Sequence, residues 1–183
     1  MPPPFWTYTG TGTQYWTRQT PGGYGASVGS AMFDYYSASG GTTQSLTSNQ
    51  FPAVTGPNNY LRFNYAHKFY QPTTTLSADS MAIYTSTDAG ATWNRLITLI
   101  ATNTPAGGYN STTNMSTTGA IGNNTEYMAP ANNEWATKLF AMPVGTNMVR
   151  FTALSAFGNN LFIDDITSGP STGTGTPLTL VPE

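Results

Sequence analysis

The stretch from Asp79 to Trp93, DSMAIYTSTDAGATW, constrains this chain more than any other. It reads as a strand, a tight turn and the start of a returning strand. The turn carries the pattern Ser86-x-Asp88-x-Gly90-x-Thr92-Trp93. Asp88 can accept hydrogen bonds from the backbone of its own turn. Gly90 can take a positive φ, which most residues avoid. Thr92 and Trp93 restart a strand and bring a large ring to bury. Such a segment belongs to a β hairpin and carries little information about a ligand.

The rest of the chain repeats the theme. Tyr60 to Tyr70 alternates, with Leu61, Phe63 and Tyr65 on one side and Arg62, Asn64 and Ala66 on the other. Phe5 to Arg18, Ala26 to Phe33, Ala136 to Ala141, Met148 to Leu154 and Leu161 to Thr167 supply further short strands. Ser37 to Thr43 and Pro72 onward read as loops, and Ala101 to Asn133 as one long polar loop. No segment reads as a helix, so the expected fold is all-β: an antiparallel β-sandwich of jelly-roll type. The sandwich is expected to fill residues 1–168. Residues 169–183, rich in Gly, Thr and Pro, read as a linker or tail leading to another domain.

Composition agrees. Charged residues are only 8%, against roughly 25% in typical domains, while aromatics reach 13%. A disordered chain would lack those rings. A net charge of −2 gives no basic footprint for nucleic acid. No apolar run approaches the roughly 20 residues of a membrane span. Cysteine is absent, which rules out disulfides and Cys-ligated metals.

Five segments in order carry a resemblance: an early aromatic-rich strand, YLRFNYA at residues 60–66, the hairpin ending at Trp93, VRFTA at residues 149–153, and NLFIDDI at residues 160–166. Roughly from Ala26 to Thr167 the chain resembles the MAM-like jelly-roll modules of secreted bacterial proteins, including the cleaved-adhesin domains of gingipain-type proteases. The resemblance implies a non-catalytic accessory module for adhesion or binding, in an exported multidomain protein of Bacteroidetes or related bacteria. Its setting would be secreted or on the cell surface. Its partner would be a glycan or an extracellular protein surface. The other role open to such a module is a structural spacer or self-assembling subunit of a surface fibre.

Calcium is the cofactor the resemblance implies, in a structural role, with Asp34, Asp164 and Asp165 as candidate ligands and Asp79 as another. Adjacent strand residues point to opposite faces, so Asp164 and Asp165 are expected to part, one facing inward near the rim. A salt bridge to arginine, or hydrogen bonds to loop amides, would explain them equally well. For a ligand site, Tyr109, Tyr127 and Trp135 lie in or beside the long polar loop, where rings edged by Asn and Thr suit sugar stacking. The alternative is that these rings pack the interior.

Enzyme readings find little support. Ser86 to Trp93 matches the Asp-box of sialidase blades, but there is one box, and Arg18, Arg62, Arg95 and Arg150 are scattered along the chain. His67 is the only histidine, and no Ser/His/Asp set can be argued around it. Glu126 and Glu134 could pair as hydrolytic carboxylates, yet nothing in the sequence sets their separation.

Overall fold

Twelve short strands follow one another in the computed structural model, which describes residues 6–20, 23–71, 78–103, 108–109, 111–122, 125–171 and 176–177. They are β1 (Trp6–Gly10), β2 (Trp16–Gln19), β3 (Ser30–Phe33), β4 (Thr43–Ser48), β5 (Tyr60–Gln71), β6 (Ser80–Ser86), β7 (Asn94–Ile100), β8 (Thr118–Gly122), β9 (Ala136–Ala141), β10 (Met148–Leu154), β11 (Leu161–Gly169) and β12 (Thr176–Pro177). Among the described residues the one helical segment is a 3-10 turn, Asn132–Glu134. One sheet runs β1-β4-β10-β6-β7. The other runs β2-β3-β11-β5, with β8 and β9 on the far side of β5 and β12 beside β11. Consecutive strands repeatedly cross between the sheets, as in a jelly roll.

The alternation of β5 places the core. Leu61, Phe63, Tyr65 and Phe69 are buried against the opposite sheet, where Phe151 meets Phe63 edge-on at 5.4 Å. Trp6 packs on the same Phe151, and Trp16 on Phe33. Each buried ring of this kind contributes about 1.5–3 kcal/mol.

One expectation needs correction. The long polar stretch is not wholly loop, because β8 pairs with β5, and this pair is parallel where the others are antiparallel. At the other end of the chain β11 continues to Gly169, and Thr176–Pro177 pair with Ser168 and Thr167. Residues 172–175 and 178–183 of the expected tail, and 72–77 of the expected loop, lie outside the described residues.

The Asp88 turn forms as read, with one addition. Ala89 as well as Gly90 is left-handed, at φ 56° and 89°. Asp88 Oδ1 accepts from the Ser86 hydroxyl at 2.7 Å and the Thr92 amide at 2.8 Å, while Oδ2 accepts from the Thr92 hydroxyl at 2.6 Å. The Gly90 amide donates to Ser86 Oγ, and the Trp93 indole N–H to the Gly90 carbonyl. The side-chain and amide hydrogen bonds of Thr92, then that of Ser86, hold the Asp88 carboxyl down at about 2.

At the other end of the sandwich, Asp79 is buried, and its carboxylate accepts from the Ala156 and Asn159 amides at 2.8 and 3.0 Å. A side chain at Gly158 would overlap that carboxylate.

Two outcomes follow from these contacts. Gly158→Ala is expected to cost about 2–3 kcal/mol, from overpacking and a disturbed buried carboxylate, read as a lower midpoint in urea. Asp88 is depressed when folded, so its contribution is present above the unfolded value of about 3.9 and lost as pH falls through about 2. Asp88→Asn should therefore melt below the wild type at neutral pH, and the gap should close between about pH 4 and pH 2.

Candidate functional site

The three rings expected at a ligand site separate. Tyr127 is buried, meeting Phe162 edge-on at 5.5 Å on the outer face of the seven-stranded sheet. Its hydroxyl donates to Glu134 Oε2, its amide to Asn159 Oδ1, and Lys68 Nζ lies 4.9 Å from its ring centre. Burial, then the Glu134 charge, pushes the phenol far above its ordinary range. Trp135 is half-buried beside it, edge-on to Tyr24 at 5.9 Å. Its indole N–H is enclosed with no partner among the described residues. Tyr109 belongs to another loop and donates its hydroxyl to the Asn103 carbonyl. Thus Tyr127 and Trp135 come together mainly as packing over Met32, Ala66 and Phe162.

Asp34, Asp164 and Asp165, three of the four candidate calcium ligands, do not converge. Asp34 and Asp164 lie beside opposite ends of β3, about 13 Å apart along the strand direction. Asp34 Oδ1 caps its own turn through the Ser37 amide. Asp164 is buried under the Tyr24 loop, accepting from the Tyr24 and Asp165 amides. Burial raises its pKa, while those amides oppose the shift. The expected parting of Asp164 and Asp165 fails for a local reason. A register shift follows Asp164, and Asp165 takes φ 49°. This bulge turns Asp165 out to solvent, where Oδ2 accepts from Asn64, the residue paired with Asp164. Neither carboxylate enters the core. Among the described residues no three His, Asp or Glu side chains gather to hold a metal, so these residues as placed do not form a calcium cage.

The interior does hold a Ser/His/Asp set, whose members are too far apart in the sequence to be placed from it. His67 Nδ1 lies 3.2 Å from Ser116 Oγ, and Nε2 lies 4.0 Å from Asp79 Oδ2. The second distance is too long for a hydrogen bond. Ser116, His67 and Asp79 are at most 1% exposed, so no substrate reaches the hydroxyl. Nor do the glutamates form a hydrolytic pair. Glu126 accepts from Asn160, whereas Glu134 ion-pairs with Lys68 and accepts from the Ala131 amide. Partial burial works against the Glu134 charge, but these bonds outweigh it and lower the pKa. That is the reverse of what a general acid needs.

The outer face of the five-stranded sheet is different. A single cross-strand row holds Thr7, Thr47, Arg150, Tyr84 and Arg95, one from each strand. The guanidinium of Arg150 lies 3.9 Å from the Trp93 ring centre, and Nε donates to Thr47 Oγ1 at 3.1 Å. Partial burial lowers its pKa, with Tyr84 opposing the shift. The next row holds Thr9, Ser45, Thr152, Ala82 and Thr98, with Ser45 and Thr152 hydroxyls 2.8 Å apart. Two of the four arginines that look scattered in the sequence are therefore neighbours on one surface. The alternation of β6 and β10 was the available signal, but the pairing of β10 between β4 and β6 was needed to use it.

No family model matches the sequence, and no curated protein does. Solved structures do match. The K3 cleaved adhesin domain of Lys-gingipain from Porphyromonas gingivalis W83 aligns at a TM-score of 0.60, 17% identity, over 91% of this chain and 92% of that one. The K1 cleaved adhesin domain of the same protein gives 0.57 at 18% identity, over 93% of each chain. A carbohydrate-binding module specific for non-crystalline cellulose, CBM28, gives 0.50 at 12% identity, over 91% and 89%. At such identities the likeness is one of fold: this chain is built as a β-sandwich of the kind seen in cleaved adhesin domains and carbohydrate-binding modules.

Proposed function

We propose that this chain is a non-catalytic accessory module of an exported multidomain bacterial protein, binding a glycan through the outer face of its five-stranded sheet. The observation that carries the reading is the Thr47–Arg150–Tyr84–Arg95 row with Trp93 stacked on Arg150. Rings offer faces for sugar stacking, while hydroxyls and a guanidinium offer directional hydrogen bonds. The likeness in fold to adhesin and carbohydrate-binding domains supports the class of function. The sealed Ser116–His67–Asp79 set and the Lys68-neutralised Glu134 leave no evident hydrolytic pair among the described residues.

The test is binding of the purified domain to an array of neutral and acidic glycans. Reproducible binding to one sugar class is expected. Tyr84→Ala should weaken it by about 10-fold, in line with loss of a ring contact of about 1–2 kcal/mol, with an unchanged melting temperature. A blank array, with the domain shown to be folded, would overturn the reading.

Self-association is a second reading, and one observation favours it. Leu154 and Ile100 flank Ser80 in one row and are each 46% exposed, and Phe157, close by in sequence, is 54% exposed at φ 63°. A bulky residue held left-handed and exposed is an unusual expense in a surface loop. Light scattering that shows a mass rising with concentration, abolished by Leu154→Glu, would support a subunit that packs against its own copies. A constant monomer mass would remove this reading.

A further inference from the structure

The open face carries positive charge on a chain whose net charge is −2. Arg150 and Arg95 stand in one row with Tyr84 between them, two strand spacings or about 10 Å apart. The described ion pair, Lys68 with Glu134, lies elsewhere, as does the buried Asp79 carboxylate. Along the two central rows of this face no Asp or Glu appears. The acid nearest in sequence, Asp88, keeps its charge but lies in the turn outside these rows, its oxygens directed to Ser86 and Thr92. A positive strip without internal counter-charge fits an anionic partner.

The form of the strip narrows the partner. Arg150 is fixed from two sides, by the Trp93 ring beneath it and by Thr47 on Nε. Its terminal N–H groups have no acceptor among the described residues, and they form the edge that meets a planar carboxylate through two parallel hydrogen bonds. Two isolated guanidinium groups spaced by a tyrosine match regularly spaced single charges with a sugar ring between them. They do not match a dense cluster of charges, which would call for more cations. Ser45 and Thr152 beside the row offer hydroxyl partners for sugar hydroxyls.

Resting on the glycan-binding reading above, we propose that the ligand is a uronic-acid polysaccharide, its carboxylates held by Arg150 and Arg95 and the intervening ring set against Tyr84. Trp93 orients Arg150 and does not itself touch the sugar.

The probe is polygalacturonate, titrated calorimetrically against the full chain, beside its carboxyl-reduced form, a neutral galactan, dextran sulfate and polyglutamate. Binding to polygalacturonate is expected, with no detectable binding to the carboxyl-reduced polymer. Arg150→Gln should weaken binding at least about 10-fold, as for a charge-assisted hydrogen bond, and Arg95→Gln about 3-fold. Arg62→Gln, an exposed cation on the opposite sheet, should change nothing. If Arg150→Gln melts early, Arg150→Lys retains the charge while losing the planar edge, and it should still weaken binding. Raising the salt concentration should weaken binding throughout. The proposal is overturned if the carboxyl-reduced polymer binds equally, if dextran sulfate or polyglutamate binds as tightly, or if Arg62→Gln matters as much as Arg150→Gln. A neutral glycan that binds while polygalacturonate does not would sink the acidic ligand and leave the binding module standing. No binding to any glycan would sink both.

Discussion

The buried carboxylate of Asp79 is the constraint on which the sandwich closes. The chain leaves β5 in one sheet for β6 in the other, and later leaves β10 for β11 in the opposite direction. Asp79 stands immediately before β6, and it accepts from two amides of the β10–β11 passage. An uncompensated charge at this depth would cost several kcal/mol, so the amides and the charge depend on each other. Gly158 is part of the same constraint, because only the absence of a side chain lets the passage run that close. The dependence extends sideways to His67, which is edge-on to Tyr35, and Tyr35 in turn donates to the Ser80 carbonyl. What looks like catalytic furniture, a serine, a histidine and an aspartate in line, is the inner lining of this joint.

Much of the sandwich was legible because its strands announce themselves by alternation. The odd residues of β5 are core and the even ones face outward, as their spacing requires. The Asp88 hairpin was legible for a different reason: Ser86, Asp88 and Thr92 bond mainly within their own turn. The failures share the opposite property. β4, TQSLTS, is polar and has no strong strand signature; it is made a strand by β1 and β10 on either side. β8 exists because β5 runs past β9 and leaves an unpaired edge beyond Tyr65. Both strands are imposed by neighbours.

The site was less legible, and the reason is again distance. Tyr127 and Trp135 sit in a polar loop, where a ring suggests display to solvent. Their fate was decided by Met32, Ala66 and Phe162, apolar residues on the outer face of a sheet that needed covering. Asp164 and Asp165 were expected to part because a regular strand alternates. One left-handed residue in β11 cancels that rule. Arg95 and Arg150 are far apart in the sequence. They become neighbours because β10 pairs with β6, and β6 with β7.

The two outer faces therefore follow different physical logics. The face of the seven-stranded sheet meets most of its own needs, the Trp135 indole N–H excepted: loops cover its apolar residues, Lys68 meets Glu134, and Asp164 is roofed by the Tyr24 amide. A ligand there would have to displace bonds already made. The face of the five-stranded sheet leaves its donors turned outward, and its main cation is already oriented. Arg150 has surrendered rotamer freedom to Trp93 and Thr47 during folding. A ligand that meets it does not bear that ordering cost, which for a long side chain is about 0.5–1.5 kcal/mol. The hairpin that fixes Trp93 through Gly90 is thus the remote support of the contact. The turn that most constrained the fold is also the one that holds Arg150 ready.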